Sequence, residues 1–230
     1  MNNNIPDPYL LSDETIKKLN KKAVLRASKA KRKLTIANFD ELNVIKTVEE
    51  LYRDLLEDAK TEFCNLYLER YIELLRWFTS TRNVRDAFGK INVDYDDFVD
   101  QYVELAVFDI IDDPNWSTHY IYSMENVRKR DRLIEAIESV NGKTAKQAEI
   151  DKGIRIYSQM NTWYSDFVSQ EAEIQLYKDA GVKRVKRIEK KDSRVCDVCK
   201  QADGEVYRID KVPPIPHLNC RRKLIPYDRR

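Results

Sequence analysis

Three cysteines and one histidine near the end of the chain have the spacing of a metal site. Cys196 and Cys199 form a C-x2-C pair, and His217 and Cys220 form an H-x2-C pair after seventeen further residues. Two intervening residues let both side chains of a pair point at one ion, so the two pairs fill four tetrahedral positions. The spacing predicts one structural Zn2+, with no open position for catalysis.

Two other interpretations of the cysteines stay open. C-x2-C pairs also act as redox centres, but thioredoxin-like pairs begin a helix within an α/β unit. Here the pair follows a basic segment that we predict to be a strand, and it precedes a glycine hairpin. Alternatively, the cysteines are reduced thiols that pack as small side chains in a metal-free turn. The fourth cysteine, Cys64, lies beside an apolar helical stripe and is predicted to be a buried small residue.

Basic residues surround the two pairs. In the segment VKRVKRIEKK (residues 182–191), the two-residue alternation of a strand leaves neither face wholly apolar, so we expect no central core strand here. We predict instead a compact basic surface that contacts the phosphates of double-stranded DNA without reading its sequence. Its residues are Lys183, Arg184, Lys186, Arg187, Lys190, Lys191, Arg194, Arg221, Arg222 and Lys223.

Charge is strongly segregated along the chain. The formal net charge is +2, yet residues 1–36 carry nine Lys+Arg against three Asp+Glu, a net of +6. Residues 37–180 carry 17 against 29, a net of −12, and residues 181–230 carry 15 against seven, a net of +8. Two basic ends around an acidic middle suggest partners of opposite charge at different places on one molecule. The alternative is that the middle consists of helices with solvated acidic faces.

Long helices are predicted to position the cysteine region. No glycine precedes Gly89, and glycine costs about 1 kcal/mol in a helix interior. Ser12 is the predicted N-cap of the first helix. Apolar periodicity predicts further helices near residues 42–78, 94–111 and 144–180, and another that closes at Asn141-Gly142.

The residue pattern changes from helical to strand-like after Gly181, the predicted C-terminal cap of the last long helix. Strands are predicted just after it and near residues 205–209 and 223–226, with a hairpin at Asp203-Gly204. The predicted fold is therefore mainly α with a small C-terminal β-rich, zinc-knuckle-like region, an α+β arrangement. Residues 1–113 form an N-terminal helical region, residues 114–181 a second helical region, and residues 182–230 the cysteine/histidine knuckle and basic tail.

Several functional classes lack support in the sequence. No apolar run approaches the ~20 residues of a transmembrane helix, and the first residues lack the order of a secretory signal. We therefore expect synthesis in a reducing cytoplasm, where cysteines stay thiols or bind metal. The sequence has no glycine-rich phosphate loop and no nucleophile elbow. His119, the other histidine, is predicted to have a structural role, so we expect no enzyme.

The C-terminal motif resembles that of the head morphogenesis family of phage minor head proteins, typified by protein F of phage Mu. The family pattern is an aspartate before C-x2-C, a D-G turn, a P-P pair and an H-x2-C-R ending. The matching residues here are Asp192, Cys196, Cys199, Asp203-Gly204, Pro213-Pro214, His217, Cys220 and Arg221. The resemblance covers about residues 115–226, which makes residues 114–181 the helical part of a head morphogenesis domain. Family members often end in C-R-C, whereas this chain has Arg222 at the last position.

The resemblance implies a non-enzymatic virion component. Such proteins are made in the host cytoplasm, packaged inside the procapsid near the portal vertex, and associate with the portal protein. Scaffold and major capsid protein are further candidate partners, and contact with packaged double-stranded DNA would serve assembly and DNA packaging or delivery. No membrane partner is implied. The alternatives are a zinc-dependent nuclease, which needs a group to activate water beside a catalytic metal, and a host zinc-ribbon nucleic-acid-binding protein.

Overall fold

The computed structural model describes residues 5–36, 40–112, 122–189, 195–215 and 222–227. These residues form a mainly helical fold with one small three-stranded antiparallel sheet near the end of the chain. The predicted α+β class is confirmed at this level. The zinc-knuckle part of that prediction rests partly on residues outside the described ranges.

Three of the helices are long, with 29, 39 and 37 residues in α1, α2 and α7. The predicted helices near 42–78, 94–111 and 144–180 are confirmed, the second with a π-helical turn (Phe98–Tyr102) between α4 and α5. The short helix α3 lacked a predicted counterpart. In chain order the helices are α1 (Pro8–Ile36), α2 (Glu41–Thr79), α3 (Val84–Lys90), α4 (Tyr95–Asp97), α5 (Val103–Asp112), α6 (Tyr122–Ser139), α7 (Lys143–Asp179) and α8 (Asp197–Ala202).

Helix α1 begins about one turn earlier than predicted. Ser12 is not its N-cap but lies inside the helix, only 1% exposed, and its hydroxyl donates to the backbone oxygen of Ser165 at 3.5 Å. A tertiary contact therefore uses the hydroxyl that the sequence assigns to a local cap. The buried stripe of α1 follows the predicted periodicity through Leu19, Ala23, Ala27 and Ala30.

The chain packs into two compact units, each discontinuous in sequence. Unit 1 comprises Met1–Asp13, Cys64–Leu105 and Ser165–Arg230, and unit 2 comprises Glu14–Phe63 and Ala106–Tyr164. These units cut across the predicted boundaries at residues 113 and 181, because α1, α2, α5 and α7 each contribute residues to both.

Unit 2 is a helical core in which α6 and α7 approach closely. A Cβ at Gly153 of α7 would lie 3.1 Å from the Cδ2 atom of Leu133 in α6, so a larger residue there would require the Leu133 side chain to shift. The buried hydroxyl of Tyr157 donates to the backbone oxygen of Leu55 in α2 at 2.7 Å. This bond satisfies a polar group that would otherwise be costly in an apolar interior.

Unit 1 contains an aromatic cluster beside the end of α7. The rings of Tyr71 and Phe98 lie 4.2 Å apart between centroids, and Phe88 packs against both. The hydroxyl of Tyr71 donates to Oδ2 of Asp179 at 2.7 Å. After Asp179, Gly181 adopts φ +73° and ends the helix, as predicted.

The sheet of unit 1 has the order β2-β1-β3, with β1 (Arg184–Glu189) in the centre. Strands β2 (Val206–Arg208) and β3 (Arg222–Pro226) flank it in antiparallel orientation, at the predicted positions. The turn into β2 contains Gly204 at φ +85°. The expectation that this basic segment is not a central strand is wrong, because an internal ion pair lets its inner face be buried.

Among the helices that the structure describes, none is both long enough and apolar enough to cross a bilayer.

Candidate metal centre and nucleic-acid interface

The C-x2-C pair lies at the start of the short helix α8. Cys196 is its N-cap, and the sulfur of Cys196 accepts a hydrogen bond from the backbone N–H of Cys199 at 3.5 Å. Cys199 is only 2% exposed, and Cys196 is half-buried. A sulfur that accepts from a backbone N–H is compatible with the role of a metal ligand. The described half of the predicted site therefore fits a metal-binding pair.

The chain on either side of the other predicted half-site is held near α8. Ile215, two residues before His217, is 4% exposed and packs against Cys199. Arg222, two residues after Cys220, is the register partner of Glu189 at the end of β1. The backbone N–H of Glu189 in turn donates to Asp203, the C-cap of α8, at 2.9 Å.

His217 and Cys220 themselves lie outside the described residues. Within the ranges that are described, no cluster of three or more His, Cys, Asp or Glu side chains could hold a metal ion. Half of the predicted ligand set lies outside those ranges, so the zinc site stays a prediction.

The position of the cysteine pair alters one argument against a redox role. The sequence pattern placed the pair outside a helix start, whereas Cys196 caps a helix. However, α8 has six residues and the neighbouring sheet is antiparallel, unlike the α/β unit of thioredoxin-like proteins. A redox pair remains an alternative that metal analysis distinguishes.

The inner face of β1 contains a buried ion pair. Arg187 is 3% exposed and Glu189 5%, and the guanidinium of Arg187 donates to the carboxylate of Glu189. Both residues follow Val185 on the face that packs into unit 1. Arg187 is thus absent from the exposed surface, which corrects the predicted DNA-contacting set, because its charge is needed inside to compensate Glu189.

Arg222 on β3 is buried in the same way. It is 5% exposed, and its Nη2 atom donates to the side-chain oxygen of Gln170 and, at 2.7 Å, to the backbone oxygen of Pro213. Arg222 therefore holds α7 and the segment before His217 rather than facing solvent. This is the second correction to the predicted DNA-contacting set.

Helix α7 also covers the outer edge of β3. The hydroxyl of Tyr177 donates to the backbone oxygen of Leu224 at 3.0 Å, and the backbone N–H of Leu224 donates to the carboxylate of Glu173. Burial raises the pKa of Glu173, while Arg70 and Arg222 act in the opposite direction. The backbone N–H and oxygen of Leu224 on this edge strand are therefore satisfied by side chains of α7.

On the outer face of the sheet and just before β1, four residues of the predicted DNA-contacting set reach the surface, and their contact with DNA stays a prediction. Lys183 and Arg184 are exposed, and Lys186 and Lys223 are half-buried. The predicted residues Lys190, Lys191, Arg194 and Arg221 lie outside the described residues.

One basic residue of this outer face was not predicted from the sequence. Arg208 on β2 is exposed and is the register partner of Arg184. The bond from Ile209 N to Lys183 O flanks this pair, so the two arginines occupy a non-hydrogen-bonded position where side chains lie close.

Like charges directly opposite are destabilising. Asp210 offsets part of this through a bidentate pair with Arg208 at 2.7 and 3.0 Å. The alternation in the predicted strand 205–209 could have revealed Arg208.

Four of the nine basic residues of the N-terminal segment form ion pairs within the described part of unit 2. Arg26 of α1 binds Asp54 and Asp58 of α2 at 2.9 and 3.0 Å. Lys22 lies 2.8 Å from Glu62, Lys33 pairs with Glu50, and Lys31 lies 2.5 Å from Asp151. These four cations are neutralised inside unit 2, whereas the other basic residues of α1 are exposed, namely Lys17, Lys18, Lys21, Lys29 and Arg32.

The pKa of the buried carboxyl group of Asp166 in unit 1 is shifted toward neutral pH. It is 8% exposed, and burial, with the nearby charge of Asp13, raises its pKa to about 7. A hydrogen bond with Ser12 partly opposes this rise. His119, for which the sequence predicts a structural role, lies outside the described residues.

Comparison of the chain with models of protein families, with curated proteins and with solved structures finds no match. The resemblance to phage minor head proteins therefore rests on the motif residues alone.

Proposed function

We propose that the protein is a phage minor head protein that joins the portal vertex inside the procapsid and contacts packaged DNA. The observation that carries the DNA-binding part is the cross-strand pair of exposed arginines, Arg184 and Arg208, on the sheet whose strands flank the motif segments in sequence. The motif resemblance supports the location and the portal partner. The proposed role is non-enzymatic.

Phosphate binding explains why two arginines face each other across the sheet. An anion between them relieves their repulsion, and Lys186 and Lys223 extend the positive surface along β1 and β3, while the exposed Lys183 lies just before β1. Such contacts are made to the backbone of DNA and do not depend on base sequence. This suits a protein whose DNA partner varies in sequence along the packaged genome.

Zinc would have a structural role in this proposal. Cys196, Cys199, His217 and Cys220 are the residues that would hold it, and the bound ion would supply folding free energy without an open coordination position. Arg222 and Ile215 already fix the chain on both sides of the second half-site.

A triple variant tests DNA binding. Changing Lys183, Arg184 and Lys186 to glutamine should weaken binding to unrelated duplexes by similar factors. The log–log salt slope should flatten by roughly 0.9 for each phosphate that the variant no longer neutralises. Arg187 is left unchanged, because its removal would expose the charge of Glu189 to an apolar interior.

The matched control changes Lys143 and Arg155 to glutamine, two exposed cations of α7 in unit 2. This control should bind DNA as the parent does. An unchanged affinity and slope in the triple variant, combined with failure to enter procapsids, would make the sheet a protein-docking surface. DNA cleavage by the parent in the presence of magnesium would favour the nuclease alternative instead.

Incorporation into particles tests the virion role directly. Epitope-tagged protein should be found in purified virions and should be captured by the portal protein, with the triple variant retained in both assays. Recovery of the protein only from host transcription complexes would support the host zinc-ribbon alternative.

Metal analysis tests the structural site. Protein purified without chelator should contain about one zinc per chain. Cys199→Ser should remove the metal and increase proteolysis after Gly181, whereas Cys64→Ser, outside the motif, should keep it. A metal-free parent whose C-terminal region resists both chelator and protease would favour the metal-free turn.

A further inference from the structure

Helix α1 has an exposed basic face on the side opposite to its buried stripe. The face runs from Lys17 to Arg32, roughly 22 Å at the rise of an α-helix, and its exposed cations are Lys17, Lys18, Lys21, Lys29 and Arg32. The ion pairs of α1 within unit 2 use other residues, namely Lys22, Arg26, Lys31 and Lys33. In the middle of this basic face, Val24 and Leu25 are 58% and 63% exposed.

A second exposed face has the opposite charge and an apolar centre of its own. It lies along the π-helical turn and the start of α5, where Asp97, Asp100 and Glu104 are exposed. Tyr102 and Leu105 lie among these acids and are 37% and 63% exposed. The ring of Phe98 stacks against Tyr102 with 5.2 Å between centroids, so the aromatic surface is held in place.

We infer that the basic face of α1 in one copy docks on the acidic face of residues 97–105 in a second copy. Exposed apolar side chains inside a charged rim are the usual composition of a protein–protein interface, and the opposite charges of the two rims set the pairing. Protein–DNA interfaces are more polar, so Val24 and Leu25 would gain little on a phosphate backbone.

The two faces differ, so the contact is heterologous. Each copy that uses its basic face on one neighbour still presents its acidic face to the next, and such contacts propagate into a ring or a filament. This self-association requires neither the zinc site nor the DNA-binding face, and it can hold or fail independently of the proposed function.

Sedimentation velocity of the full chain over a range of concentrations tests the contact. The parent should form oligomers. Their apparent affinity should fall about tenfold when salt rises from about 50 to 500 mM, because screening shortens the range of the charges. One variant reverses the basic face with Lys17→Glu, Lys21→Glu and Arg32→Glu. The other reverses the acidic face with Asp97→Lys, Asp100→Lys and Glu104→Lys. Each variant alone should be monomeric.

An equimolar mixture of the two reversed variants should recover the oligomers, because each reversed face then meets a complementary reversed face. Leu25→Ser, which keeps every charge, should weaken association, whereas the control Lys143→Glu with Arg155→Glu should leave it unchanged. A parent that stays monomeric at all concentrations overturns the inference, as does a mixture that fails to associate. Reversal of the basic face that abolishes DNA binding without affecting oligomers would also overturn it, and would assign α1 to DNA.

Discussion

The buried guanidinium of Arg70 is predicted to be a major determinant of the stability of unit 1. Arg70 is 0% exposed and donates to the backbone oxygen of Pro6 at 3.2 Å and to Glu73 at 2.8 Å. Its Nη2 atom lies 3.7 Å from Oε1 of Glu173, which is itself 3% exposed. At that distance two unit charges attract by about 4 kcal/mol at an effective dielectric constant of ~20.

Arg70→Met keeps most of the length of the side chain and removes its charge. At neutral pH we expect the free energy of unfolding to fall by about 3–5 kcal/mol, because Glu173 is left buried without this cation. Arg70→Met combined with Glu173→Gln should recover part of the loss, since the uncompensated charge is then gone. Urea unfolding followed by far-UV circular dichroism measures both changes.

The pH dependence of this loss follows from the pKa of Glu173. Burial raises that pKa in the folded state, so stability falls as pH rises from the ordinary value of 4.5 through the folded value. Removing Arg70 raises the folded pKa further and extends the fall to higher pH. The cost of Arg70→Met should therefore be small below pH ~4, where the carboxyl is neutral in both states, and largest near neutrality.

Arg85→Met is the matched control. Arg85 pairs with Asp96 at 2.7 Å, but the two side chains are 64% and 62% exposed, so water screens the pair and the loss should be much smaller. The reasoning is refuted if Arg70→Met costs the same at acidic and neutral pH, or if Glu173→Gln adds to its cost instead of reducing it.

Two further predictions concern single buried positions. Because the pKa of Asp166 is raised to about 7, this carboxyl group should make wild-type stability fall as pH rises from about 4 through 7. Asp166→Asn should reduce that fall in urea unfolding, and an unchanged pH profile would contradict the prediction. Gly153→Val should lower the free energy of unfolding by about 1–3 kcal/mol by crowding Leu133, and Leu133→Ala in the same chain should recover part of the loss. Thermal unfolding of the single and double variants measures both effects. Purely additive losses would contradict the prediction.

The order and type of most elements could be predicted from local patterns. Apolar residues at three- and four-residue steps predicted the long helices, since each helix must bury one stripe whatever it packs against. Gly181 and Gly204 marked a helix end and a turn because both positions have positive φ, at +73° and +85°. The cysteine pair was also identifiable by its spacing, although its position at a helix start was not.

Local patterns failed where partners come from distant parts of the chain. Ser12 resembled an N-cap, but its hydroxyl binds Ser165 instead. All the positive charges of α1 resembled a surface for an external partner, yet part of them is used internally, as where Arg26 binds Asp54 and Asp58 across unit 2. The two discontinuous units were hidden for the same reason, because long helices contribute to both.

The sequence by itself determined that the C-terminal region is basic, forms β-strands and is rich in possible metal ligands. Only the tertiary structure decided which of its arginines face solvent. Arg184 and Arg187 lie three residues apart on β1, and alternation places them on opposite faces without saying which face is buried. The answer depends on Glu189 and, for Arg222, on Gln170 from a helix 52 residues earlier. A charged side chain can be buried only where such partners compensate it, and compensation is a property of the packed chain.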